Sequence, residues 1–118
     1  MNVEMAGLLT GIQEYVHTIF RNADTSKLIY HNYEHTANVV SYAKEITAHY
    51  ELSEECTFTL LSASWFHDTG HLYGDWETHE ERSADIAGYY LVDKKLPEKI
   101  LTDIRACIMA TKMPVHPS

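Results

Sequence analysis

Histidine and aspartate residues stand in two short strings whose composition suits metal binding. His35 ends the string YHNYEH, and the doublet His67-Asp68 follows an apolar run. Imidazole and carboxylate bind first-row divalent metals without being redox-active themselves. Taken singly, His35 is better explained as a core histidine bonded to a carbonyl. The set of three predicts a divalent-metal site, because its doublet ends an apolar run where an unpaired polar group is costly.

The hydrophobic pattern predicts a series of helices that would position these residues. The expected helices run from Val3 to Asn22, from Tyr33 to Tyr50 after an Asn32 cap, from a Ser53 cap through the apolar run Phe58 to Phe66, from a Thr78 cap to about Lys95, and from Pro97 to about Thr111. The third helix is apolar on nearly every face, which indicates a central, buried helix. No alternating run is long enough to predict a strand, so the fold class is all-α.

Three local features of these helices are also predicted. The second helix should bury one stripe, made of His35, Val39, Tyr42, Ala43, Ile46 and Tyr50. Gly70 should close the third helix, as glycines often do. Thr78 and Glu81 fit a capping box at the start of the fourth helix, which would carry Ala84, Ala87, Leu91 and Val92 inward.

Length, composition and charge limit the classes of protein to which the chain can belong. The chain has 118 residues, of which 45% are hydrophobic and 22% charged, so we expect a single globular domain over residues 1–118. Its formal charge of −8 argues against binding of nucleic-acid polymers or anionic membranes. Cys56 and Cys107 are isolated, as expected of buried or half-buried free thiols in a reducing cytosol. The first ten residues lack the basic start of a signal peptide, and we expect a cytoplasmic location.

Three strings together resemble the HD superfamily of metal-dependent phosphohydrolases, which is named for its His-Asp doublet. They are YHN-x-x-H ending at His35, ASWFHDTG around the doublet, and HE-x-x-SA beginning at His79. The resemblance covers about Ile29 to Thr111. It implies an HD-domain-like bundle of about five helices and a metal set in the order His, His-Asp, Asp. By this match His35, His67 and Asp68 are metal ligands.

The last aspartate of the family pattern has no good counterpart here. Seven residues follow Thr111 and none is acidic, while Asp93 and Asp103 come too early in the family's order. We therefore expect a fragment or a naturally short chain, truncated at the C-terminus of its domain. A metal would then be completed by water, substrate or another chain.

Further residues are candidates for the same site. By the resemblance, His79 would ligate a second ion, but the later histidine of two-metal family members is absent near Ala110, so one ion is expected rather than two. An exposed residue at a helix start is an equally good interpretation of His79. Glu80 is a candidate general base. His71 would orient a ligand. The candidate substrate contacts are His31, Arg82 and Lys112.

These observations predict a phosphohydrolase that uses a divalent metal ion, either Mn, Fe, Co, Ni, Zn or Mg. The substrate would be a phosphate ester of a nucleotide or of another small phosphorylated metabolite, with Asp68 or Glu80 accepting a proton. The alternatives are a non-catalytic metal- or ligand-binding domain, favoured by the missing carboxylate, and a di-iron oxygenase on the same helical frame. Tyr89 and Tyr90 fit either a homo-oligomer interface or the core.

Overall fold

Five α-helices form the part of the chain that is described, residues 1–23 and 32–111 of a computed structural model. They are α1 (Val3–Asn22), α2 (Tyr33–His49), α3 (Glu54–Phe66), α4 (His79–Leu91) and α5 (Glu98–Met109). The 3₁₀ turns Thr69–Leu72 and Trp76–Thr78 lie between α3 and α4. These ranges contain no strand, and the prediction of an all-α fold with about five helices is confirmed.

Helix α3 lies at the centre of the bundle and contacts each of the other four helices. Phe58 and Phe66, near its two ends, are fully buried. The sequence predicted this central position from an apolar run without a polar face, and the prediction is confirmed. Because α3 is surrounded, the residues that follow its last turn begin in the interior of the domain.

The predicted helix caps at Asn32 and Ser53 are confirmed. The predicted capping bond of Thr78 and the helix-ending role of Gly70 are wrong. The side chains of Asn32 and Ser53 accept hydrogen bonds from the backbone nitrogens of His35 and Cys56, each the third residue of its helix. Thr78 makes no such bond, and its hydroxyl instead donates to Asp75 Oδ1 at 2.9 Å and accepts from Arg82. Gly70 does not close α3, which ends at Phe66, and Gly70 lies inside the first 3₁₀ turn with a negative φ.

Helix α2 buries a different face from the predicted one. Its buried residues are Thr36, Val40, Ala43 and Thr47, so only Ala43 of the expected stripe is fully inside. Tyr42, Ile46 and Tyr50 are exposed. The prediction failed because two threonines occupy core positions on this helix, and a pattern of apolar residues alone cannot locate a face that is partly polar. The first turn therefore carries His35 at the domain surface rather than in the core.

The end of α4 places Tyr89 and Tyr90 in different surroundings. The sequence had left open whether these two tyrosines belong to an interface or to the core. Tyr90 packs against Tyr15 of α1 with ring centroids 4.4 Å apart, while Tyr89 is 81% exposed. Burial raises the pKa of Tyr15, which lies between this ring and α3. Val92 is exposed and not inward-facing as expected, because α4 ends at Leu91.

The two cysteines differ in accessibility. Cys107 of α5 is half-buried, and burial, with a smaller effect of Asp103, raises the pKa of its thiol. Cys56 is exposed, so the expectation of a buried or half-buried thiol is wrong there. No helix in the described ranges has both the length and the apolar character needed to span a membrane.

The register of α4 can be tested with two neighbouring positions. Leu91 is 1% exposed and Tyr89 is 81% exposed. We expect Leu91→Ala to lower the free energy of unfolding by about 2–5 kcal/mol, because it leaves a cavity in the core. Tyr89→Ala, which removes a larger side chain from the same helix, should change it by less than about 0.5 kcal/mol. Urea denaturation of both variants measures the difference, and equal effects would contradict the register.

Candidate metal centre

Asp68 is a buried carboxylate surrounded by four histidines. It is the second residue after the end of α3 and is 3% exposed. Its Oδ2 atom lies 3.5 Å from His35 Nε2 and 3.4 Å from His67 Nε2. Its Oδ1 atom lies 3.7 Å from His71 Nε2 and 3.9 Å from His79 Nε2. The structure thus brings the predicted set His35, His67 and Asp68 together, and adds a second pair of histidines on the other oxygen.

These distances fit donor atoms around a common cation better than they fit hydrogen bonds. A hydrogen bond between nitrogen and oxygen has a length of about 2.7–3.2 Å. Two donors that bind one ion tetrahedrally at about 2.1 Å are about 3.4 Å apart. The Nε2 to Oδ2 distances of His35 and His67, 3.5 and 3.4 Å, are close to that value. His35, His67 and Asp68 can therefore hold a metal ion, with all three donor atoms within 4.8 Å of one another.

The ring orientation of His67 is fixed by the backbone of α3. Its Nδ1 atom lies 2.7 Å from the carbonyl oxygen of Ser64. A carbonyl oxygen only accepts hydrogen bonds, so Nδ1 donates and carries the proton. In the neutral ring, Nε2 then presents its lone pair toward the site. This is the arrangement in which metal-binding histidines are usually held.

His79 is oriented by the adjacent side chain. Its Nδ1 atom lies 2.6 Å from Oε2 of Glu80, a carboxylate that is itself 4% exposed. The contact directs the other nitrogen, Nε2, toward Asp68. A carboxylate behind a histidine is a common second partner in metal sites, where it raises the basicity of the ligand. Glu80 therefore has a positioning role in the structure, and its role as a general base stays a prediction.

An aromatic cluster holds the first turn of α2 against the end of α3. Tyr33 stacks on His17 of α1 at a centroid distance of 4.3 Å and on Trp65 of α3 at 5.9 Å. Tyr33 and Trp65 each precede a candidate ligand, His35 and His67, by two residues. Packing of these rings therefore sets the distance between the two ligands. The sequence analysis did not identify this role, which depends on contacts between three helices.

The connection between α3 and α4 is held by Ser83. Its hydroxyl donates to the carbonyl of His67 at 2.9 Å and accepts from the backbone nitrogen of Gly70 at 2.8 Å. Ser83 is fully buried on α4. One side chain of α4 thus fixes the backbone on both sides of Asp68. This contact gives a physical reason for the serine in the HE-x-x-SA string.

Arg82 also holds this connection. Its Nε atom donates to the carbonyl of Gly70 at 2.9 Å, and its other nitrogens donate to the Thr78 hydroxyl and the carbonyl of Asp75. The Thr78 hydroxyl in turn lowers the pKa of Asp75, with a smaller effect of Arg82. This network therefore favours the ionised form of Asp75. The guanidinium of Arg82 is engaged inside the protein, and its contact with a phosphate stays a prediction.

Of the remaining residues considered in the sequence, only His71 lies at the described site. His31 and Lys112, expected as substrate contacts, lie outside the described residues. Asp93 pairs with Lys94, and Asp103 pairs with Lys99 across one turn of α5. Both carboxylates are on the surface, in agreement with the expectation that neither completes the metal set. His71 was expected to orient a ligand, and the structure places its Nε2 atom beside Asp68 itself.

Comparisons of the chain with protein-family models, with curated proteins and with solved structures give no match. The HD superfamily assignment accordingly stays a resemblance, carried by three sequence strings. The grouping of Asp68 with histidines from three separate segments does not depend on that resemblance, because it is a property of the fold.

Gly70 allows the close approach of α4, and this can be tested. A Cβ atom at Gly70 would lie 2.1 Å from the backbone oxygen of His79 and 2.9 Å from Ser83 Oγ. We expect Gly70→Ala to displace the start of α4, to destabilise the fold by about 1–3 kcal/mol and to weaken divalent-metal binding about 10- to 100-fold. Denaturant unfolding and metal titration measure the two effects.

Gly7→Ala is the matched control for this variant. A Cβ atom at Gly7 has no neighbour within 4 Å, and Gly7 lies inside α1. Alanine is the better helix former by about 1 kcal/mol, so this variant should be as stable as the parent or more so. If Gly70→Ala behaved like Gly7→Ala in both measurements, the close approach would not be a constraint on the site.

Proposed function

We propose that this protein is a metal-dependent phosphohydrolase acting on a phosphate ester of a nucleotide or of another small phosphorylated metabolite. The observation that carries the proposal is the group of His35, His67 and Asp68, whose donor atoms can hold one ion. The resemblance to the HD superfamily supports the reaction class. Suitable ions are Mn, Fe, Co, Ni, Zn and Mg, of which imidazole donors favour the transition metals.

The site is accessible from one side. The side chain of His35 is 44% exposed, whereas those of His67, His71 and His79 are between 8% and 15% exposed. A substrate would therefore approach beside His35, at the first turn of α2. Bound there, the cation would polarise a phosphoryl oxygen and activate water. The buried walls of the site exclude solvent from the other side of Asp68.

The residues of the chain would have distinct roles in this reaction. His35 and His67 would hold the cation on Oδ2 of Asp68, with His67 kept in one orientation by the Ser64 carbonyl. Asp68 is one candidate proton acceptor. Glu80 is the other, and it contacts the site through the His79 ring, since its Oε2 atom lies on Nδ1 of that ring. A proton taken up at His79 Nε2 would then be balanced by transfer from Nδ1 to Glu80.

The proposal is tested by phosphate release from a panel of nucleotides, sugar phosphates and cyclic nucleotides, with protein loaded separately with each metal. Asp68→Asn keeps the shape of the side chain and removes its charge. We expect at least about a thousandfold loss of activity, because a bound metal contributes several kcal/mol to catalysis. The control is Asp93→Asn, whose carboxylate is 77% exposed beyond α4.

The outcomes separate the proposed enzyme from a binding domain. Hydrolysis that Asp68→Asn abolishes and Asp93→Asn leaves unchanged would support the proposal. Equal rates of phosphate release by the parent protein and by Asp68→Asn would contradict the mechanism. Metal binding that needs Asp68, without turnover of any phosphate ester, would favour the non-catalytic metal-binding domain.

One observation also favours a di-iron oxygenase as a second candidate. Such chemistry needs more histidines at the site than the sequence analysis could assign, and the structure groups four of them around Asp68. Oxygen consumption by protein loaded with Fe(II), measured with an oxygen electrode and without release of phosphate, would support this function over hydrolysis.

A further inference from the structure

We propose that an apolar strip on α2 binds the organic part of the substrate, and that this substrate carries one phosphate group on an aliphatic chain. The strip consists of Val39, Tyr42 and Ile46, and His35 lies at its N-terminal end. The inference rests on the proposed function, because it names the class of ester that the metal centre would receive. Hydrolysis would exchange the bond from phosphorus to the ester oxygen for one to a water oxygen, and the proton of water would pass to the departing alcohol.

The first argument is the position of the strip beside the open side of the metal centre. Residues three, four or seven apart lie on one face of an α-helix, so the strip continues the face that carries His35. Side chains on a helix lean toward its N-terminus, which directs those of the strip toward His35. The side chain of His35 is 44% exposed. The strip therefore begins where a substrate would approach the metal centre.

The second argument is the apolar surface that the strip exposes. Tyr42 is 66% exposed and Ile46 is 49% exposed, whereas Val39 is half-buried. Single exposed apolar side chains are normal, but a row of them beside a site is typical of a binding surface. A ligand that covered the row would remove apolar surface from water, which favours binding. The strip extends about 16 Å along the helix from His35 to Ile46, which suits an extended chain better than a compact base.

The third argument is the charge around the strip, which favours an aliphatic ester over a nucleotide. Lys44 is the one lysine or arginine of α2, and helical geometry places it about 170° around the axis from the strip. Glu45 is nearer, about a quarter of a turn away. A second or third phosphate group would therefore meet an acidic side chain on this helix. The side chains of Val39 and Ile46 also offer no hydrogen bond to the polar edge of a base, which would be left unpaired on desolvation.

Alkylphosphonates test the strip without any turnover, because they lack the ester bond. Protein loaded with Co²⁺ is titrated calorimetrically with methyl-, butyl- and octylphosphonate, each below the concentration at which it forms micelles. We expect octylphosphonate to bind about 100-fold more tightly than methylphosphonate. This is about twofold for each added methylene, since one side of the chain stays in water.

The double variant Tyr42→Ser with Ile46→Ser removes the exposed apolar side chains and leaves the candidate metal ligands unchanged. Tyrosine, isoleucine and serine have similar helix propensities, so α2 should stay intact, which circular dichroism verifies. The preference for octyl- over methylphosphonate should fall to about fivefold or less, with the affinity for methylphosphonate unchanged. If the double variant is not folded, Tyr42→Ser alone should show an intermediate preference. Tyr89→Ser removes a tyrosine that is 81% exposed on α4, and this matched control should keep the full preference.

Phosphate release from octyl phosphate and from adenosine monophosphate compares the two classes of substrate. We expect the parent protein to have the higher kcat/KM for octyl phosphate. The double variant should lose this advantage through a raised KM with kcat unchanged, because the strip contacts a part of the substrate that does not react.

The outcomes distinguish this proposal from the proposed function. Equal affinities for methyl- and octylphosphonate, or an undiminished preference in the folded double variant, would overturn the strip as a binding site. A higher kcat/KM for adenosine monophosphate would overturn the aliphatic substrate, and a dimer that the double variant dissociates in sedimentation would show that a second copy covers the strip instead. Binding that depends on chain length, without phosphate release from any ester, would contradict the phosphohydrolase and leave the strip intact. No binding of any phosphonate would overturn both.

Discussion

The structure depends on the burial of one carboxylate. Asp68 is 3% exposed at the end of the central helix, where an ionised group without compensation would destabilise the fold by several kcal/mol. The four histidine nitrogens around it lie at 3.4 to 3.9 Å and are polar neighbours of the carboxylate. A metal ion held by this carboxylate and its histidines would offset the cost of burying the charge. Metal binding would therefore stabilise this part of the fold as well as supply its chemistry.

Most contacts around Asp68 serve to hold the connection between α3 and α4 close to the backbone of α4. Ser83 binds both sides of Asp68, and the lack of a side chain at Gly70 lets the carbonyl of His79 approach. Arg82 binds the same connection from the solvent side. These residues belong to the strings that resemble the HD superfamily. Their physical role here is to bring His71 and His79, which are eight residues apart in the chain, onto one oxygen atom.

The helices and the candidate ligands His35, His67 and Asp68 could be predicted from the sequence, because both are marked by local patterns. Caps such as Asn32 and Ser53 and the apolar run of α3 mark their own helices. The buried face of α2 could not be predicted, since Thr36 and Thr47 occupy core positions that apolar periodicity does not reveal. The interpretation of Gly70 as the residue that ends α3 was wrong, because the reason for a glycine there is not local either. Its need to be small comes from a backbone atom nine residues later, and no local pattern contains that information.

The two sides of Asp68 differ in exposure and in the contacts that hold their histidines. On the Oδ2 side, His35 is at the surface and is positioned through packing of Tyr33 between His17 and Trp65. On the Oδ1 side, both histidines are largely buried, their rings are stacked, and His79 contacts Glu80. Under the proposed function, substrate would reach the site beside Oδ2, because the imidazole of His35 is exposed there. The two largely buried rings beside Oδ1 would instead fix the position of Asp68.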